Sequence, residues 1–147
     1  MITGIDHIHV YTKDMDQSIA FYTNVLGFRF LRRASFGTPE NRRELAYVGL
    51  GDILLELLPL AAGITEVPSG GNRPLCLTVA DMDRTLVELQ EKGVEITRSW
   101  EGFSFSGRAA SIKDPSGLDI ELREWLTPDS PHYPDWQPTR ADVVRTA

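Results

Sequence analysis

The chain has 147 residues, 41% apolar and 24% charged, with 15 Lys and Arg against 21 Asp and Glu, a net charge of −6, and a single cysteine. That length suits one domain with one continuous core. No apolar run reaches the roughly 18 residues a membrane span requires, and the acidic balance argues against a nucleic-acid surface, which needs a basic patch.

Cys76 alone cannot form an internal disulfide, and the N-terminus Met-Ile-Thr-Gly-Ile-Asp-His lacks the basic and apolar regions of a secretory signal. A reducing, cytoplasmic setting is therefore expected. Residues 4–12 alternate and are rich in Ile, Val, Tyr and Thr, which predicts a strand with one face toward a pocket or core. Asp14 or Asp16 is placed to cap a helix whose apolar positions Met15, Ile19, Tyr22 and Leu26 follow the 3.6 period, and Gly27 supplies its stop. Strands are predicted over 28–31, 44–50 and 53–58, the last two joined at Gly51-Asp52, a hairpin signal. Residues 1–60 thus read as a βαβββ module. Arg32-Arg33 and Arg42-Arg43 read as short basic clusters in solvated loops.

Residues 61–72, with glycines, a proline and few large apolar side chains, predict a linker. The same order then recurs over 73–124. It comprises a strand over 75–79, a helix with Met82, Leu86 and Leu89 on one face ended by Lys92-Gly93, strands over 94–97 and 108–113, a turn at Asp114-Pro115-Ser116-Gly117, and a strand over 118–123. After Glu124, Pro128, Pro131, Pro134 and Pro138 interleave with Trp125, His132, Tyr133 and Trp136. Residues 125–147 read as an extended arm that docks on a surface, since two tryptophans are poorly left bare, with 140–147 a loose helical turn or disordered.

The duplication is explicit in the residues. His7-Ile8-His9-Val10-Tyr11-Thr12-Lys13-Asp14-Met15-Asp16 is answered by Pro74-Leu75-Cys76-Leu77-Thr78-Val79-Ala80-Asp81-Met82-Asp83, and each module closes on an apolar strand holding a lone glutamate, Glu56 or Glu121. Duplicated modules of this size pack about a pseudo-twofold axis, which brings matching positions toward one site. Those positions hold His7, Glu56, Pro74 and Glu121, and three of the four carry metal-binding side chains.

Asp6-His7-Ile8-His9-Val10, Asp14-Met15-Asp16 and Phe21 to Phe28, with Asp114-Pro115-Ser116-Gly117 and Ile120-Glu121-Leu122 near the end, resemble the vicinal oxygen chelate superfamily over residues 4–124. That superfamily includes glyoxalase I, methylmalonyl-CoA epimerase, fosfomycin resistance proteins, extradiol dioxygenases and metal-free bleomycin-binding proteins. The resemblance implies an α+β fold, a single domain over 1–124 made of two βαβββ modules whose curved mixed sheets surround a cleft. It also implies His7, Glu56 and Glu121 as metal ligands. The second-module histidine of glyoxalases and epimerases falls at position 74, where this chain has Pro74.

One imidazole and two carboxylates suit one divalent ion, Zn, Ni, Co, Mn, Fe(II) or Mg, with open positions for substrate oxygens. Glu56 sits among Leu54, Leu55, Leu57 and Leu58, where an ionised carboxylate needs a partner; the plainer alternative is an exposed edge residue. For Glu121 the alternative is a surface pair with Arg123. His9 and Tyr11 share the face of His7 by strand parity. His9 is an additional ligand, a general base or substrate partner, or a histidine bonded only to backbone, and proton transfer is the leading expectation. Asp119 and Arg123 flank Glu121 on the inward face, with Arg123 receiving an anionic substrate group or pairing with Asp119 or Glu121. Cys76 and Thr78 follow Pro74 on theirs, and Cys76 reads as a packing residue more than a nucleophile. Trp100, Phe103 and Phe105 contact substrate or fill the core, and His132 is a surface residue or part of a lid.

The function expected is a metal-dependent lyase or isomerase acting on a small substrate with vicinal oxygens through an enolate- or enediolate-like intermediate, Glu121 doubling as ligand and base. Glutathione-dependent activity is disfavoured by Tyr11, where bacterial glyoxalases carry an arginine, and extradiol dioxygenation by the missing second histidine. The alternative is a metal-free protein that sequesters an aromatic antibiotic or metabolite. Pro74 and the aromatic residues favour that alternative, while His7 and the two glutamates oppose it. A homodimer is expected, because curved sheets leave apolar surface that one copy does not cover.

Overall fold

The computed structural model describes residues 1–67, 73–101 and 107–125, with Trp100 and Glu101 described in backbone only. Phe103, Phe105, His132 and the arm beyond Trp125 lie outside the described residues. Two four-stranded mixed sheets carry the fold, neither closed into a barrel, in the orders β1-β4-β3-β2 and β5-β8-β7-β6. The chain divides into two compact units. The first contains the first module together with the Asp114–Leu118 turn, and the second contains the rest of the second module.

In the first unit, β1 (Ile8–Thr12) pairs in parallel with β4 (Ile53–Pro59), which pairs antiparallel with β3 (Arg43–Leu50), itself paired with β2 (Arg29–Phe36). Alternation on β4 sends Leu55 and Leu57 into a core with Val10, Tyr22, Phe28, Ala46 and Val48, all at most 3% exposed. Each of the Val, Leu and Phe side chains contributes about 1.5–3 kcal/mol by leaving water. The opposite face of β4 carries Glu56. Asp14 caps α1 (Met15–Ala20), its carboxylate accepting from the Gln17 amide at 2.9 Å. The helix does not keep its 3.6 period to Leu26. Residues Phe21–Val25 widen into a π turn closed by Leu26 N–H to Phe21 O at 3.1 Å, which buries the adjacent rings Phe21 and Tyr22 together.

The strand expected from residue 4 begins at Ile8, and the one expected over 28–31 runs instead from Arg29 to Phe36. Arg32 and Arg33 therefore lie within a strand rather than a loop. Arg33 bridges Glu44 and Asp16 across the exposed side of β2. The Asp114–Leu118 turn completes this unit. Asp114 accepts from the Tyr22 hydroxyl at 3.0 Å and from the Ser116 and Leu118 amides at 2.9 Å each, while the Ser116 hydroxyl accepts from the Lys13 amide at 2.9 Å.

The second unit repeats the plan. β5 (Cys76–Thr78) runs parallel to β8 (Asp119–Trp125), which is followed outward by β7 (Gly107–Lys113) and β6 (Ile96–Glu101). Asp81 caps α2 (Met82–Glu91) through the Arg84 amide at 3.0 Å. Leu75, Met82, Leu89, Ala109, Ala110, Ile112, Ile120 and Leu122 form its core. Among the described residues no helix is long and apolar enough to cross a membrane.

Candidate metal centre

Register alone assembles the first-unit site. The parallel pairing of β1 with β4 sets His9 beside Glu56, and the antiparallel pairing of β3 with β4 sets Tyr47 on its other side. His7 lies just ahead of β1 and shares the His9 face. The result is a triangle of donors. His7 Nε2 is 2.9 Å from His9 Nε2 and 3.0 Å from Glu56 Oε2, and His9 Nε2 is 2.9 Å from the same carboxylate oxygen. Glu56 is 8% exposed, whereas the His9 side chain is 52% exposed, so the triangle has a buried base and an open mouth.

Neighbours fix each member. Asp6 Oδ2 lies 2.6 Å from His7 Nδ1, so Nδ1–H donates outward and the lone pair of Nε2 points into the triangle. This hydrogen bond foremost, with the Glu56 charge behind it, holds the His7 pKa above its ordinary value. The Tyr47 hydroxyl donates to Glu56 Oε1 at 2.7 Å, leaving Oε2 for the triangle, and that bond raises the phenol's own pKa. Two imidazole nitrogens and a carboxylate oxygen so close together repel unless a proton or cation lies between them. One proton on His9 Nε2 satisfies one edge only; a cation satisfies all three vertices.

Among the described residues, His7, His9 and Glu56 form the one group of side chains clustered closely enough to hold a metal ion.

Glu121 belongs to the second unit, where Arg73 Nη1 approaches it at 3.5 Å and Cys76 hydrogen-bonds it. Desolvation foremost, reinforced by the Glu121 charge, pushes the Cys76 thiol up to about 11. Asp119 pairs with Lys113 at 3.0 Å, and the buried Arg123 lays its guanidinium 4.3 Å over the Trp125 ring. Thr78 pairs with Arg123 across β5 and β8, Tyr11 is exposed, and the Trp100 backbone pairs with Ala109. Sequence reasoning passed over Asp6, Tyr47 and Arg73. The signal for Tyr47 was present: a two-residue turn at Gly51-Asp52 fixes the register in which Tyr47 faces Glu56.

Two βαβββ modules, the first with a His-His-Glu cluster across β1 and β4, define the class of duplicated-module folds to which the chain belongs. The chain belongs to the Glyoxalase/Bleomycin resistance protein/Dioxygenase superfamily, whose family model matches residues 4–122. It is 32% identical to a lactoylglutathione lyase of Salmonella typhimurium over 126 residues, covering 80% of this chain and 90% of the relative. It is 26% identical to the mitochondrial methylmalonyl-CoA epimerase of Bos taurus over 130 residues, covering 82% and 73%. Among solved structures, TnmS3, an antibiotic binding protein from Streptomyces, superposes with a TM-score of 0.62 at 27% identity, covering 85% of this chain and 100% of that one. The family therefore holds lyases, an epimerase and an antibiotic-binding protein.

Proposed function

We propose that the chain is a divalent-metal-dependent lyase or isomerase acting on a small molecule with two adjacent oxygens, with His7, His9 and Glu56 holding the ion. The observation that carries this reading is the donor triangle with 2.9–3.0 Å edges. A bound divalent ion supplies a Lewis acid that polarises substrate oxygens and offsets enolate-like charge. Two imidazoles and one carboxylate suit Mn, Fe(II), Co, Ni or Zn, with positions left open for substrate oxygens. Asp6 keeps the His7 lone pair aimed inward, Tyr47 keeps Glu56 from rotating away, and the exposed edge of His9 is where substrate or solvent reaches the cluster. His9 replaces, on the first strand itself, the donor that Pro74 lacks. Glu121 is carried in this reading as the proton-transfer group, and the chain is taken to act as a homodimer.

Metal analysis of untagged protein equilibrated with Mn, Co, Ni and Zn tests this reading. One equivalent is expected, lost in Glu56→Ala and retained in Glu121→Gln. No bound metal in the wild type would overturn it. The second reading, a metal-free binder of an aromatic antibiotic or metabolite, is favoured by Pro74 and by the likeness to TnmS3. It predicts no metal, together with tryptophan quenching by the ligand.

A further inference from the structure

The arginines of β2 are divided between the two faces of the first sheet. Residues opposite each other in an antiparallel ladder share a face, so Arg29 lies on the face of Gly49 and Arg32 on that of Tyr47. Tyr47 in turn lies opposite Glu56, and Glu56 beside His9. The row His9, Glu56, Tyr47, Arg32 therefore crosses all four strands on one face. In a regular strand, positions 29 and 32 point to opposite faces. The register shifts between Phe30 and Arg32, with Leu31 the extra residue of a β-bulge, and that shift turns both arginines toward the histidine face. Leu31 lies over Gly49, its Cδ1 3.1 Å from where a Cβ would stand, and adds apolar surface to the same face.

Arg33 takes the other course: paired with Ala46, it turns to the opposite face, where Glu44 and Asp16 neutralise it. On the histidine face the carboxylates are already engaged, Glu56 by Tyr47 and the two imidazoles, Asp6 by His7. Arg32 is exposed, and among the described residues no ion pair or hydrogen bond joins it to a carboxylate. Its charge is felt at Tyr47, where the Glu56 hydrogen bond foremost raises the phenol's pKa and Arg32 works the other way.

We infer that Arg32, with Arg29 on the same face, is the specificity-determining residue that receives an anionic group, carboxylate or phosphate, of the substrate. The inference rests on the metal reading for the position of the substrate's adjacent oxygens. Neighbouring strands lie ~4.8 Å apart, so Glu56 and Arg32 are ~10 Å apart at the backbone, a gap that the long arginine side chain shortens. An ion at one end of this row and a guanidinium at the other are both satisfied by a molecule that is electron-rich at both ends. The substrate is then an anion whose charge stands a few bonds from its vicinal oxygens. A guanidinium fork matches carboxylate or phosphate oxygens, and Arg29 supplies a second cation for a dianion.

Dihydrocaffeate carries adjacent oxygens at one end and a carboxylate at the other; its methyl ester lacks the charge, and the phosphonate in place of the carboxylate increases it. Full-length protein isotope-labelled at its arginine nitrogens is titrated with each compound, with Zn(II) and in EDTA. Binding is followed by the arginine Nε–H resonances, that of Arg32 assigned by its loss in Arg32→Gln. With Zn(II), dihydrocaffeate is expected to bind about tenfold tighter than its ester and to shift the Arg32 resonance. Arg32→Gln is expected to erase that difference and Arg33→Gln to keep it. The tighter binder of carboxylate and phosphonate assigns the substrate's anionic group. Where Zn(II) tightens none of the compounds the metal reading fails, and the acid-to-ester contrast in EDTA still decides the role of Arg32. Arg32 is exposed, so its variant is expected to melt like the wild type. Equal affinity for acid and ester in the wild type, or an undiminished difference in Arg32→Gln, would overturn the inference.

Discussion

Replacing Tyr22 by Phe deletes one oxygen from the interior of the first unit, and its effect follows from the bonds around Asp114. Tyr22 is fully buried and Asp114 is 4% exposed, and the hydroxyl donates to that carboxyl alongside the backbone amides of Ser116, Gly117 and Leu118. A hydrogen bond to a charged group contributes about 1.5–3 kcal/mol, so a loss of about 2 kcal/mol is expected at neutral pH. For a chain of this size that lowers Tm by roughly 6–10 °C. Burial, working against its donors, raises the Asp114 pKa in the folded state. A group raised on folding holds its proton more tightly when folded, so its contribution is full below the unfolded value near pH ~4 and is lost as pH rises through the folded value. Tyr22→Phe removes a group that favours ionisation, raises that folded value further and steepens the loss. Guanidinium unfolding at pH 4 and pH 7 should therefore show a larger cost of Tyr22→Phe at pH 7. In an Asp114→Asn background the cost should fall and lose its pH dependence. A cost below about 0.5 kcal/mol at pH 7, or equal costs at both pH values, would refute the reasoning.

His9→Ala removes one of the three donors of the proposed metal centre. With structural zinc sites contributing about 10–16 kcal/mol over four ligands, it should weaken metal about 100-fold in chelator competition, while Tyr11→Ala changes it little. Cys76, with its thiol pushed up to about 11, should react with iodoacetamide at pH 8 far more slowly than free cysteine, and rapid labelling would contradict that environment. Gly107 has φ 153°, and a Cβ there would collide with the Glu124 carbonyl oxygen. Gly107→Ala should therefore cost about 2 kcal/mol or more in a thermal melt.

The modular plan was legible because strand alternation, helix period and punctuation agree. Asp14 and Asp81 both cap their helices, and Gly27, Gly93 and Gly117 take positive φ at the stops and turn. What local pattern does not encode is where pairing begins. Among the described residues β1 is an edge strand with β4 as its single neighbour, so its start at Ile8 depends on a partner far along the chain. β2 is almost wholly exposed, and its arginines broke the alternation that reveals a strand. The π turn arises because Phe21 and Tyr22 are both drawn inward, a tertiary demand that overrides the 3.6 period. In the site, parity placed His7 and His9 on one face. Asp6 and Tyr47 stayed hidden because their roles depend on side-chain reach and on cross-strand register.

The turn at Asp114–Leu118 means that the gene's duplication no longer marks two separable products. Tyr22, Lys13 and Thr12, encoded in the first repeat, take hydrogen-bond partners from a segment encoded deep in the second. A fragment ending in the linker would expose Tyr22 and Thr12 and lose the acceptor for the Tyr22 hydroxyl. Exchanging whole repeats between relatives must carry this turn along with the first repeat, so the natural unit of recombination in such a chain is discontinuous.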